Sequence, residues 1–200
     1  TKQIKLNKIY KWPWTVELME LYFITGNKNK FNEVKEILDR NIKQLELDLL
    51  EIQELDPKKI ISEKLKEAMG NYKGALIVED TSLYIEGLNG LPGPLIKWFL
   101  QTLGIEGLYK MARDSGNTKA KASTMIGYYD GREIRFIEGS VEGEIVPPSG
   151  KSGFGWDPIF KPANQLKTYQ QMTLEEKNKI SHRGKAFLKL KELLDKEFSR

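Results

Sequence analysis

A three-layer α/β domain is the fold class this sequence predicts, on three observations. Short apolar runs and helix-period stretches alternate from Leu21 to Asp80 as strand, helix, strand, helix, strand. Asp130-Gly131 stands between two alternating stretches, a strong hairpin signal. The chain has 200 residues with 40% hydrophobic content, enough for one sizeable core.

In chain order, residues 1–18 place Lys2, Lys5, Lys8 and Lys11 around Trp12-Pro13-Trp14 with no period. They read as an N-terminal extension to a single domain over 19–200. Leu21-Tyr22-Phe23-Ile24 is a short apolar run and reads as a buried strand. After a Gly turn, Phe31, Val34, Ile37 and Leu38 share one face of a helix expected from about Asn29 to Arg40. Leu45, Leu47 and Leu49 alternate with polar residues and predict a second strand. Helical spacing returns at Ile61, Leu65, Ala68 and Met69, and Ala75-Leu76-Ile77-Val78 predicts a strand ending directly in Glu79-Asp80. Pro94 is placed to start a helix carrying Ile96, Phe99 and Leu103. Ala122, Thr124, Ile126 and Tyr128 alternate into the hairpin, and the return strand runs through Ile134 and Phe136 toward Val141 and Ile145. Thr173 and Glu176 form a capping box, and a last helix buries Phe187, Leu190, Leu194 and Phe198.

Composition removes several function classes. No apolar stretch approaches the ~18 residues of a membrane span, and no signal-peptide pattern precedes the core. Cysteine is absent, which excludes disulfides and thiolate metal sites and fits a cytoplasmic address. His182 is the single histidine, so any metal falls to carboxylates, which favour a hard cation such as Mg²⁺. The net charge of +4 suits an anionic ligand. It does not separate a nucleotide from a nucleic acid, or either from a plain lysine-rich surface.

Four segments carry candidate chemistry. Thr25-Gly26-Asn27-Lys28-Asn29-Lys30 joins a strand to a helix, where unpaired backbone N–H groups and the helix dipole attract anions. Lys28 and Lys30 add positive charge there. The competing reading is an ordinary turn with exposed lysines, and the Walker glycines are missing. Glu79-Asp80 sets two carboxylates side by side, which is costly unless a cation neutralises them. Glu51 closes the preceding predicted strand and can join them as a metal ligand, or it is a solvated acid. In Phe154-Gly155-Trp156-Asp157, aromatics flanked by glycine offer a stacking surface for a planar ring, or a plug that pins the loop. Lys177 and Ser181, four apart, share the face of one helical stretch that continues into His182 and Arg183.

Taken in order, several runs resemble the inosine triphosphate pyrophosphatase family of hydrolases for non-standard purine nucleotides. They are Phe-Ile-Thr-Gly-Asn-Lys-Asn-Lys at 23–30, Val-Glu-Asp-Thr-Ser-Leu at 78–83 and Gly-Leu-Pro-Gly-Pro-Leu-Ile-Lys-Trp-Phe at 90–99. Phe-Gly-Trp-Asp-Pro-Ile-Phe at 154–160 and Glu-Lys-Asn-Lys-Ile-Ser-His-Arg at 176–183 complete them. The resemblance covers nearly everything from Leu21 to Leu194 and is closest to the eukaryotic branch.

The resemblance implies an elongated, mixed and twisted sheet flanked by helices, in two lobes with the site in the cleft between them. It implies hydrolysis of ITP, dITP and XTP between the α and β phosphates, to a monophosphate and pyrophosphate. Mg²⁺, with Mn²⁺ as substitute, and a homodimer come with it. It assigns Thr25, Gly26, Asn27 and Lys30 to phosphate, within a turn that includes Lys28 and Asn29. It makes Asp80 the metal-associated general base, Thr81 its neighbour and Glu51 a further metal ligand. It assigns Lys64 and Lys97 to substrate, Phe154 and Trp156 to the base, and Asp157, Lys177, His182 and Arg183 to its edge or to phosphate. A Maf-type pyrophosphatase for modified pyrimidines, and a non-catalytic nucleotide- or RNA-binding protein, are the competing functions.

Overall fold

Three parallel strands open the chain. These are β1 (Leu21–Ile24), β2 (Ile42–Leu45) and β3 (Ala75–Ile85), with β1 pairing on both sides. The helices α1 (Lys28–Leu38) and α2 (Pro57–Asn71) make the crossovers. This computed structural model describes residues 20–149 and 155–198. The Trp12-Pro13-Trp14 extension and Phe154 lie outside the described residues, as does the Phe198 side chain.

The second half turns antiparallel. The strands β5 (Lys119–Tyr129), β6 (Ile134–Ile145) and β7 (Phe160–Pro162) add to β3, giving a seven-stranded mixed sheet ordered β2-β1-β3-β5-β6-β7. The two-residue β4 (Pro92–Gly93) pairs with β3 off that path. Asp130 makes the expected hairpin turn, its Oδ1 accepting from Arg132 and Glu133 N–H at 2.7 and 2.8 Å. Three helices complete the chain: α3 (Ile96–Asp114), α4 (Leu174–Ile180) and α5 (His182–Phe198). Among the described residues, no helix is long and apolar enough to cross a membrane.

Three apolar clusters hold these layers. Phe23, Val34, Ile37 and Leu38 pack with Phe187, Leu190 and Leu194 between α1, α5 and one sheet face. Ile61, Leu65 and Ala68 of α2 cover Leu76, Val78 and Met125 on the other. Leu83, Ala122 and Val141 meet Ile96 and Leu108 of α3, with Trp156, Phe160 and Tyr169, at the far end of the long strands. The two ends are thus clothed by different elements, and a cleft lies where the coverings meet.

Several expected boundaries shift. The second strand stops at Leu45, because β1 ends at Ile24 and leaves nothing for later residues to pair with. Leu47 and Leu49 still pack on the α2 cluster, but as extended wall without a partner strand. Strand β3 does not end at Glu79-Asp80; it continues to Ile85 on antiparallel pairing with β5, joined at Leu83 and Tyr84 by β4. Pairing with β1 stops at Ile77, so the two acids sit where the sheet first opens. The helix after Pro94 kinks at Gly104, whose φ of 68° and ψ of −179° suit glycine alone. Leu103, expected inside, is 41% exposed at that kink. The predicted single helix through Lys177 and Arg183 is two helices that break at Ser181.

The start of α5 lies directly on β6. A Cβ added at Gly139 would fall 2.3 Å from the His182 carbonyl oxygen and 2.4 Å from the Ala186 nitrogen. Gly139→Ala is therefore expected to push α5 off the sheet and lower stability by about 1–3 kcal/mol. Urea denaturation checks this, and an unchanged midpoint would contradict the contact.

Candidate functional site

Asn27 caps α1, its Oδ1 accepting from the N–H groups of Asn29 and Lys30 at 3.0 and 3.2 Å. The Thr25 hydroxyl accepts from Asn27 N–H at 3.1 Å, and Thr25 N–H donates to Leu45. The turn expected to hold unpaired donors thus has part of its set engaged internally. Helical rotation then sorts its residues. Asn27 and Lys30, three apart, face the cleft, whereas Lys28 and Asn29 point to solvent and do not line it. Thr25 and Gly26 line it from the strand end.

Strand alternation separates Glu79 from Asp80. Glu79 meets α1 and α5: its Oε2 accepts from Arg183 Nε at 2.9 Å and its Oε1 from Arg183 Nη2 at 3.0 Å. Lys30 Nζ lies 2.9 Å from the same Oε1. Burial alone would raise this carboxyl, but Arg183 and Lys30 outweigh it and hold it well below the usual range. Arg183 Nη2 also donates to Thr81 at 3.3 Å, and its Nη1 to Glu33. Glu33 in turn accepts from Lys177 Nζ at 2.8 Å, and Lys177 reaches Asp157 at 2.7 Å. A buried chain of alternating charge therefore runs Asp157, Lys177, Glu33, Arg183, Glu79, Lys30. Glu79, grouped with Asp80 and the metal ligands on sequence, has its neutralising cations here in Arg183 and Lys30.

Asp80 faces α2 instead. Its Oδ1 accepts from Lys64 Nζ at 3.1 Å, and Oδ2 is buried with no hydrogen-bond partner. Burial raises this carboxyl above the ordinary range, against the pull of Lys64 and Lys30. Lys64 also lies 3.0 Å from Glu51 Oε1, and Lys97 lies 2.8 Å from Glu51 Oε2. For Glu51, burial works against ionisation, but Lys64 and Lys97 bring its pKa down to about 2.

The third wall is aromatic. Trp156 is buried, stacked on His182 with centroids 5.1 Å apart and edge-on to Phe160 at 5.3 Å. Tyr169, which the motifs did not single out, closes the cluster. Trp156 thus combines both sequence readings: it plugs the loop and presents a face to the cleft. Burial, then the nearby Arg183 and Lys177, depress the His182 pKa far enough to keep the ring neutral, and its Nδ1 has no partner. Ser181 makes this corner: it ends α4, and its hydroxyl accepts from Gly184 N–H at 3.0 Å.

A cavity of about 430 Å³ gathers Asn27, Lys30, Glu51, Lys64, Asp80, Thr81, Lys97, Gly155, Trp156, Asp157, His182 and Arg183. A neighbouring concavity shares Lys30, Glu51, Lys64 and Lys97 and adds Thr25, Gly26 and Glu79. Lys177 lines neither; it stands behind, holding Asp157 and Glu33. Glu33 is the residue sequence reasoning missed. Its signal was position, since it precedes Ile37 by one turn on the apolar face of α1.

Comparison with known proteins finds likeness along nearly the whole chain. A model of the Ham1 family matches residues 21–193. The chain is 45% identical over 184 residues to the inosine triphosphate pyrophosphatase of Schizosaccharomyces pombe, spanning 90% of this chain and 97% of that protein. It is 44% identical over 188 residues to the inosine triphosphate pyrophosphatase of Saccharomyces cerevisiae, spanning 88% and 95%. A solved HAM1 protein from Coxiella burnetii aligns with a TM-score of 0.75 at 26% identity, covering 90% of this chain and 100% of that one.

The buried pairs set an acid limit on stability. The Glu79 carboxyl is depressed below its ordinary 4.5, so the stabilisation it draws is complete above that value and is lost as pH falls below it. Glu79→Gln, which leaves Arg183 buried without its bidentate partner, is expected to cost about 3–5 kcal/mol at neutral pH. Its urea midpoint should also change less than the wild type's on acidification. Parallel acid profiles for the two proteins would contradict this.

Proposed function

This chain belongs to the Ham1 family, and on that footing we propose that it hydrolyses ITP, dITP and XTP to the monophosphate and pyrophosphate. The observation that carries the reading is one cleft lined by an anion-facing turn, a carboxylate–lysine cluster and an aromatic wall with a fixed arginine. Neither competing function uses all three. A Maf-type preference for pyrimidines leaves the large Trp156–His182 wall unexplained, and passive binding leaves Asp80 without a task.

A hard divalent cation fits the donor set. Asp80 Oδ2 is buried without a partner beside the cleft, and Glu51 supplies a second carboxylate. Among the described residues, no group of three or more acids or histidines is placed to hold a metal. Mg²⁺ suits such a site, because it is commonly held by one or two carboxylates together with substrate phosphates and water. Mn²⁺ is the expected substitute. When bound, the cation neutralises phosphate charge and makes the attacked phosphorus more electrophilic.

The chain's own residues do the rest. Asn27 and Lys30, with Thr25 and Gly26, grip the phosphate end. Lys64 and Lys97 balance charge along it. Asp80, whose raised carboxyl pKa suits a general base, accepts the proton of the attacking water. Attack at the α phosphorus then releases pyrophosphate. Trp156 and His182 bound the base, and Arg183 serves as a donor whose direction Glu79 and Glu33 fix. A 6-keto oxygen accepts from such a donor, whereas the adenine amino group sets a second donor against it. Lys177 and Asp157 hold the rear of this wall. A single domain over 19–200, acting as a cytoplasmic homodimer without nucleic acid, completes the reading.

With Mg²⁺, ITP should yield IMP and pyrophosphate, and ATP should be cleaved some ~10²-fold less well or worse. Asp80→Asn is expected to lower kcat by about 10²–10⁴ while ITP still binds. Release of orthophosphate rather than pyrophosphate would overturn the bond assignment.

A further inference from the structure

Glu51 and Asp80 are the carboxylates the proposed cation needs, yet most of their oxygens already face a cation. Glu51 Oε1 lies 3.0 Å from Lys64 Nζ, and its Oε2 lies 2.8 Å from Lys97 Nζ. Lys64 Nζ also lies 3.1 Å from Asp80 Oδ1. Only Asp80 Oδ2, buried and unpartnered, has no ammonium against it. Two acids and two lysines sum to zero charge.

That balance disfavours a bare metal ion. A divalent cation entering alone would have to displace both ammonium groups from their carboxylates, leaving Lys64 only a long 3.5 Å contact with the Glu79 carbonyl oxygen, and would leave its own charge uncompensated beside them. The Lys64 side chain is 8% exposed, so water replaces its lost partners poorly. A triphosphate removes both obstacles, because its oxygens can receive the lysines while the cation takes the carboxylates.

We propose that Lys64 and Lys97 are resident counterions of Glu51 and Asp80, so that the divalent cation enters with a triphosphate and not before it. As it enters, the two ammonium groups pass from carboxylate to phosphate. Lys97 moves first: its side chain is 56% exposed and it holds only the outer oxygen of Glu51, whereas Lys64 is shared by both acids. The Lys97–Glu51 pair also joins the start of α3 to the extended wall after β2. Its release therefore loosens the cleft mouth when substrate arrives. The proposal rests on the pyrophosphatase reading for the identity of the triphosphate, but its order of binding is measured without turnover.

The test is Mn²⁺ titration followed by electron paramagnetic resonance, with Mn²⁺ alone and with an α,β-methylene analogue of ITP. Wild-type protein should bind Mn²⁺ alone roughly tenfold or more weakly than with the analogue. Lys97→Met, at a half-exposed position, should bind Mn²⁺ alone about two- to fivefold more tightly than wild type. This gain is one that a merely damaged fold would not produce. Equal Mn²⁺ affinity with and without the analogue would overturn the proposal, as would a Lys97→Met protein with unchanged or weaker nucleotide-free affinity. Pyrophosphate release from ITP is assayed separately. Its absence beside the expected Mn²⁺ pattern would remove the substrate reading and leave the counterion exchange standing.

Discussion

The Arg183 guanidinium is the group on which the rest of the site depends. It is 2% exposed and bonds Glu79 on β3, Glu33 on α1 and Thr81, from the first turn of α5. Burying an arginine is unfavourable unless its charge and its directed N–H groups are matched, and here two carboxylates and a hydroxyl match them. Separated by 150 and 104 positions from its acids, it pins the three elements in one relative placement. Removing one partner would leave a desolvated charge, so these elements hold their places together or lose them together. His182, one residue earlier, takes its position against Trp156 from the same anchor.

That anchor explains why local sequence reading reached some of the site and not all of it. The Phe23–Lys30 turn, the Asp130-Gly131 hairpin and the Thr173–Glu176 capping box are set by residues a few positions apart, and the structure has each of them. The Glu33–Lys177 and Glu79–Arg183 pairs join distant segments, and no local period encodes them. Glu33 resembles any charged helix residue until α4 and α5 are laid beside α1. Adjacency also misled: Glu79 and Asp80 look like one acidic pair in sequence, yet the pleat sends them to different partners. The end of β2 was illegible for a related reason. The alternation of Leu45, Leu47 and Leu49 persists past Leu45, but a strand also needs a neighbour, and β1 is only four residues long.

The comparisons and the charge map speak to different things. Similarity to pyrophosphatases across nearly the whole chain fixes the family. It leaves open how a lysine-rich cleft carries acids for a cation without collapsing onto its own lysines. The arrangement answers by keeping each acid paired: Glu51 with Lys64 and Lys97, Glu79 with Arg183 and Lys30. Half-exposed pairs such as Lys97–Glu51 are weak enough to be exchanged, and fully buried ones such as Arg183–Glu79 are not. On the proposed reading, burial divides the cleft into a part that exchanges partners around phosphate and a part that stays rigid around the base.

The division runs through two consecutive residues. Glu79 belongs to the rigid network and Asp80 to the exchangeable one, and a single peptide unit of β3 joins them. Strand β3 is clamped by β5 along its whole length, so this unit has little freedom to shift. On the proposed reading, a base held against Arg183 and His182 sits at a fixed distance from the carboxylate that takes the water proton. Lys30 strengthens the link, since it contacts Glu79 directly and also acts on the Asp80 carboxyl through space, against the burial that raises it. A purine whose 6-substituent sets a donor against Arg183 would settle elsewhere in the cleft, carrying its α phosphorus away from Asp80. Discrimination would then appear in the chemical step as well as in binding, because position on one face of the strand dictates position on the other.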